Sequence, residues 1–223
     1  MAALKFSPVT LLLPLSLLAQ TALAQDPKRF AQEIDAFAAA DATNPPPKNA
    51  ILFVGSSTLR LWKTLAADFP DRKVFNRGFG GSQMSDAIYY FDRIVTPYQP
   101  SLIVLYEGAN DIADRKTPEQ VFDDFKTFVA KVHEQLPRAR LDYISILNTP
   151  IRADQAGKVK EANRLIRDFI AKDPKLDYID AFPAFLGSDG KSNPEFFLFD
   201  RLHPNAKGYA ILQSIIAPYL ARN

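Results

Sequence analysis

A serine directly after an apolar run, and only two histidines in 223 residues, narrow the chemistry open to this chain. The serine is Ser57, in Gly55-Ser56-Ser57-Thr58, where the run Ile51 to Val54 ends and a helical pattern begins. On such a sharp turn the hydroxyl is exposed and backbone N–H groups lie close by. That suits attack on a carbonyl, because the oxyanion formed needs nearby donors. The same residues also fit a serine helix cap, or a loop cradling the phosphate of a flavin or nucleotide. A serine hydroxyl is a weak nucleophile near neutral pH and requires a general base within hydrogen-bond reach. Of the two histidines, His133 lies between Val132 and Glu134, off a helical apolar stripe, and reads as a solvated surface residue. His203 lies in the loop Asp200-Arg201-Leu202-His203-Pro204-Asn205. Asp200 can turn back to one imidazole nitrogen and leave the other to take the serine proton. A simple Asp- or Asn-Pro turn with an incidental histidine also accounts for this loop.

Two further loops could serve the same reaction. Asn76-Arg77-Gly78-Phe79-Gly80-Gly81-Ser82 is rich in glycine, which lets backbone approach a ligand or merely makes a tight turn. Glu107-Gly108-Ala109-Asn110-Asp111 offers the Asn110 amide, a neutral donor for developing negative charge; an Asx turn is the alternative.

The elements that must position these loops alternate. Largely apolar runs at Ile51–Val54, Val74–Phe75, Leu102–Tyr106, Leu141–Leu147 and Leu176–Ile179 read as strands. Between them, helical patterns cover Leu59–Ala67, a face marked by Met84, Ile88 and Phe91 and continuing through Ile94 and Val95, a capping box at Thr117-Pro118-Glu119-Gln120, and Glu161–Lys172. A closing helix covers Tyr209–Leu220. Short apolar strands separated by amphipathic helices predict an α/β fold: a three-layer α/β/α sandwich around a five-stranded parallel sheet. Ligands of such sheets lie beyond the carboxyl ends of the strands, where all four loops fall. Upstream, Asp26-Pro27 caps a helix presenting Phe30, Ile34 and Phe37 to the body, and Asn44–Lys48, with its three prolines, is a stiff linker.

The first 24 residues read as a signal peptide: Lys5, the apolar stretch Leu11–Leu18, then Ala22-Leu23-Ala24. Pro14, Ser16, Gln20 and Thr21 interrupt it, so no membrane span is expected once it is removed. Cleavage near Ala24 predicts an exported protein, periplasmic or secreted. The expected organisation is therefore residues 1–24 as signal peptide, 25–49 as N-terminal helix and proline-rich linker, and 50–223 as the working domain. With 27 basic against 25 acidic side chains and no long basic run, nothing calls for a nucleic-acid partner. The absence of cysteine excludes thiolate catalysis, disulfides, cysteine-ligated metals and a lipoprotein anchor.

Together the four loops resemble the GDSL/SGNH hydrolase family, from Ile51 to about Leu220. Gly55-Ser56-Ser57 matches the nucleophile block, Gly78-Phe79-Gly80-Gly81 the second, Gly108-Ala109-Asn110-Asp111 the Gly-x-Asn-Asp block, and Asp200-Arg201-Leu202-His203 the Asp-x-x-His block. The resemblance implies a flavodoxin-like SGNH hydrolase fold and a Ser57, His203, Asp200 triad. It also implies an oxyanion hole from the N–H groups of Ser57 and Gly81 and the Asn110 amide, acting without metal or organic cofactor. The substrate would be a small-molecule ester: short acyl or acetyl esters, thioesters or lysophospholipids. Ser56 stands where the family usually has Asp, which leaves as an alternative a weak or inactive carbohydrate- or acyl-binding protein on the same fold. Glu195-Phe196-Phe197-Leu198-Phe199 could wall an acyl pocket or simply pack in the core.

Overall fold

Alternating apolar side chains on β-branched and aromatic runs give the sheet two buried faces, and both are covered. A computed structural model describes residues 26–221. The expected signal segment lies outside the described residues. Five parallel strands, β1 (Ile51–Gly55), β2 (Val74–Gly78), β3 (Leu102–Tyr106), β4 (Arg140–Ile144) and β5 (Leu176–Ile179), form one sheet in the order β2-β1-β3-β4-β5. Among the described residues the helices are α1 (Ala31–Thr43), α2 (Ser57–Arg60), α3 (Leu65–Asp68), α4 (Met84–Tyr89) and α5 (Phe91–Ile94). They continue with α6 (Ala109–Ala113), α7 (Pro118–Gln135), α8 (Ala156–Ile170) and α9 (Ala206–Leu220).

The period-two alternation of strands sorts the core. Leu52, Val54, Ile103 and Leu105 point to one face, against Phe30, Ile34, Phe91, Phe128 and Ile166 of α1, α5, α7, α8 and the turn before α1. Ile51, Phe53, Leu102 and Val104 point to the other, against Leu59, Trp62, Leu212 and Ile216 from the α2–α3 and α9 side. Each large side chain removed from water in this way contributes about 1.5–3 kcal/mol before entropy is counted. The three-layer sandwich expected from the sequence is the observed architecture.

Several elements differ in extent, and for three of them the packing gives the reason. The helix expected over Leu59–Ala67 is two short pieces, α2 and α3. Trp62 turns between them into the core, its ring beside Phe69 and Tyr209 and its Nε1 donating to Asp68. The helix face running from Met84 to Val95 breaks at Tyr90 into α4 and α5. The fourth strand stops at Ile144, short of Leu147, because Asn163 of α8 replaces a neighbouring strand. Its Oδ1 accepts from Ile146 N at 2.8 Å and its Nδ2 donates to Ile146 O at 2.9 Å.

Residues 26–43 are knit into the same body. Ile34 is buried in the main core, Arg29 pairs with Asp86 at 2.6 Å, and Asp41 accepts from Arg77.

Candidate active site

The chain runs outward from β1 to β2 and then returns across β1 to β3. The carboxyl ends of β1 and β3 therefore flank the point where the strand order reverses, the crevice where open α/β sheets hold ligands. Ser57 follows β1 and Asn110 follows β3. Backbone bonds stitch these loops to each other: Ser56 N donates to Tyr106 O at 3.1 Å, and Phe79 N to Gly55 O at 2.9 Å. Gly55 has φ +150°, and a Cβ there would lie 2.1 Å from Tyr106 O, so only glycine allows the strand to end this close to its neighbour.

Ser57 is the first residue of α2 and half-buried. Ser56, at its N-cap, makes no side-chain cap bond. The turn is held instead by its backbone, Ser56 O accepting from Leu59 N and Arg60 N at 3.0 and 3.1 Å. The far end of α2 is tied down by Asn76 Nδ2, which donates to Leu59 O at 2.6 Å, and by Tyr209 OH, which donates to Thr58 O at 2.9 Å. A carboxylate at position 56 is thus unnecessary for this loop's geometry. With only one turn in α2, any field at Ser57 comes from local N–H groups more than from a helix macrodipole.

His203 arrives from the loop before α9. Its Nε2 lies 2.9 Å from Ser57 Oγ, and its Nδ1 lies 2.6 Å from Asp200 Oδ2. The other Asp200 oxygen accepts from the backbone N–H of Leu202 at 2.9 Å and of His203 at 3.0 Å. Burial alone would raise the Asp200 carboxyl. The ring of His203 and these two N–H groups outweigh it and hold the carboxyl below its ordinary value. An ionised carboxylate only accepts, so Nδ1 carries the imidazole proton and the Nε2 lone pair faces the serine hydroxyl. The loop closes as a tight reversal: Leu198 N donates to His203 O at 2.7 Å, and Arg201 takes a left-handed φ of +58°.

Gly81 has φ +77° and sits at the exposed rim, with nothing within 4 Å of where a Cβ would stand. Its neighbour Gly80 donates its N–H to Glu33 Oε2 of α1 at 3.1 Å. Asn110, in the first turn of α6, donates from Nδ2 to Ser82 O at 2.9 Å, which joins the loop after β2 to the loop after β3. Asp111, the last residue of the same block, is fully buried. It accepts from Lys116 Nζ at 2.7 Å and from Met84 N, anchoring α6 to the start of α4.

The structure therefore brings Ser57, His203 and Asp200 into one hydrogen-bonded line and gathers Gly81 and Asn110 on loops stitched to it. Two other sequence expectations fare differently. His133 is half-buried instead of solvated, its Nε2 3.3 Å from Asp173 Oδ2, because α7 packs along the segment after α8. In the phenylalanine-rich segment, Phe197 is core, packed with Phe185, which also meets Phe196, whereas Phe199 is fully exposed. A residue that the sequence reading passed over also reaches the site. Arg152 donates to Asn110 Oδ1 from the segment after β4.

The chain belongs to the GDSL-like Lipase/Acylhydrolase family, a model of which matches residues 48–211. It is a carboxylic ester hydrolase of that family. The human platelet-activating factor acetylhydrolase IB subunit alpha1 is similar over 200 residues, with 27% identity, covering 82% of this chain and 81% of the relative. In fold it is similar to a GDSL-like lipase from Bacteroides thetaiotaomicron, with TM-score 0.72 and 21% identity over 88% of this chain and 98% of that one. It is also similar to a carbohydrate esterase family 3 protein from Talaromyces cellulolyticus, with TM-score 0.64 and 14% identity over 77% of this chain and 96% of that one. No helix among the described residues is long and apolar enough to cross a membrane.

Proposed function

We propose that this chain hydrolyses short acyl esters, acetyl esters foremost, through a covalent acyl-enzyme on Ser57. The observation that carries the reading is the position of the His203 ring, between the Asp200 carboxylate and the Ser57 hydroxyl. His203 Nε2 takes the hydroxyl proton as Ser57 Oγ attacks the ester carbonyl. The N–H groups of Ser57 and Gly81 and the Asn110 amide receive the negative charge that develops on the carbonyl oxygen. Asp200 stabilises the imidazolium, which then protonates the leaving alcohol. Water, activated by the same ring, attacks the acyl-enzyme; the acid leaves and Ser57 recovers its proton.

The preference for acetyl esters draws support from the similar acetylhydrolase subunit named above. Thioesters and lysophospholipids are the competing substrate classes. Lys5, Leu11–Leu18 and Ala22–Ala24 support export to the periplasm or medium, with cleavage near Ala24. The test is hydrolysis of p-nitrophenyl acetate by the mature chain and by Ser57→Ala, beside longer nitrophenyl esters, an acetylated sugar and a lysophospholipid. Ser57→Ala is expected to lose on the order of 10³-fold or more in kcat. Equal rates in the two proteins would overturn the reading.

A further inference from the structure

Arg152 lies in Pro150–Gln155, a 3-10 segment after β4, and is the residue there whose φ/ψ (−117°, 29°) leaves the helical region. Its guanidinium crosses to α6. Nη1 donates to Ala109 O at 3.0 Å and Nη2 to Asn110 Oδ1 at 3.0 Å. From the opposite side, Ser82 O accepts from Asn110 Nδ2 at 2.9 Å. Among the described residues, Arg152 forms no salt bridge with a carboxylate. The Asp114 carboxylate acts on this half-buried cation through charge, but the cation's hydrogen bonds go to two neutral oxygens, one of them in the oxyanion loop.

A side-chain amide has nearly the same shape when its oxygen and nitrogen are exchanged, so neighbours decide which way it faces. A guanidinium can only donate and a carbonyl can only accept. With Arg152 on one side and Ser82 O on the other, one orientation is satisfied: Oδ1 toward Arg152 and Nδ2 toward Ser82. That orientation leaves one Nδ2 proton unspent. The flipped amide would set its own NH₂ against the Arg152 donors and its oxygen against Ser82 O. It would also present lone pairs, where the reaction needs a donor.

We propose that Arg152 is a positioning residue, which locks the Asn110 amide with its donor side toward the developing oxyanion. This rests on reading Asn110 as an oxyanion donor. Through Oδ1 the guanidinium also polarises the amide, making the remaining N–H a stronger donor. The interaction matters most when charge sits on the substrate oxygen, so its loss lowers kcat and leaves KM nearly unchanged.

The test is a double-mutant cycle with p-nitrophenyl acetate, using Arg152→Met, Arg152→Lys, Asn110→Ala, and each Arg152 variant combined with Asn110→Ala. Ser57→Ala and thermal unfolding of every variant run alongside. Arg152→Met is expected to lower kcat roughly tenfold with KM within about twofold of the parent, the size expected for one charge-assisted hydrogen bond. Arg152→Lys, which reaches one acceptor but not both, recovers part of that loss. On the Asn110→Ala background either Arg152 change costs less than about twofold, because no amide is left to orient. Should Arg152→Met fail to fold, the Arg152→Lys cycle decides by the same criterion. Wild-type kcat in Arg152→Met, or an equal loss with and without Asn110, overturns the proposal. If Ser57→Ala keeps the wild-type rate, the triad reading itself fails. If Ser57→Ala and Asn110→Ala lose activity while Arg152→Met does not, only the role given to Arg152 fails.

Discussion

The Asp200 carboxyl is held in its ionised form, and that shapes how the site answers to pH. Hydrogen bonds from the His203 ring and from two backbone N–H groups hold Asp200 below its ordinary value. A carboxyl depressed in this way adds stability above its unfolded value and loses it as pH falls through the folded one, well to the acid side of imidazole. Asp200 therefore stays ionised near neutral pH, while the base that Ser57 requires is a neutral imidazole. One protonation, on Nε2, then removes the base that Ser57 requires. Log(kcat/KM) is expected to rise with unit slope as pH increases on the acid side of neutrality. A limb of slope two, or a flat profile, would mean that another group controls the nucleophile. At this scale the sequence was informative where a residue's chemistry is rare, as with a histidine three positions after an aspartate. It was silent on Arg152, because arginine is common on surfaces and its contact with Asn110 spans 42 positions in the chain.

Strand ends carry the site, and one buried acid shows how. Glu107, just past β3, is fully buried, and among the described residues its Oε2 has no hydrogen-bond partner. Burial, with Asp111 nearby, pushes its carboxyl well above the ordinary value. Ser82 Oγ lies 2.5 Å from Glu107 Oε1 and 3.1 Å from Phe79 O, yet one hydroxyl has one proton to give. A protonated Glu107 resolves this: the carboxyl donates to Ser82 Oγ and the hydroxyl donates on to Phe79 O. The loop that carries Gly81 and supplies Ser82 O to Asn110 thus rests on a carboxyl that burial drives toward its neutral form. A raised carboxyl favours the fold below its unfolded value and loses that advantage as pH rises through the folded one. Glu107→Gln keeps the shape and has no proton to lose. Its thermal midpoint relative to wild type is expected to climb as pH goes from about 5 to 8. A difference that stays flat over that range would show Glu107 to be ionised in the fold. Element boundaries were the weaker part of the sequence reading for a related reason. Periodicity reads Leu141–Leu147 as one strand, and it cannot show that Asn163 captures Ile146 beyond the strand's end at Ile144, or that Trp62 turns inward and splits a helix.

The molecule as a whole supplies what no segment holds alone. Ser57 and His203 meet across 146 positions, and α1 braces the Gly81 loop through Glu33. The two core layers fix these distances by burying both faces of the sheet, so the alternation of apolar runs, plain in the sequence, sets where the loops converge. The contacts that complete the site come from packing between layers and leave no local trace. The most direct test is labelling of the folded chain with a fluorophosphonate probe, followed by peptide mapping. The account expects one adduct, on Ser57, that disappears in Ser57→Ala and on unfolding in denaturant. An adduct on the buried neighbour Ser56 or elsewhere, or full esterase activity in protein that takes no label, would contradict it.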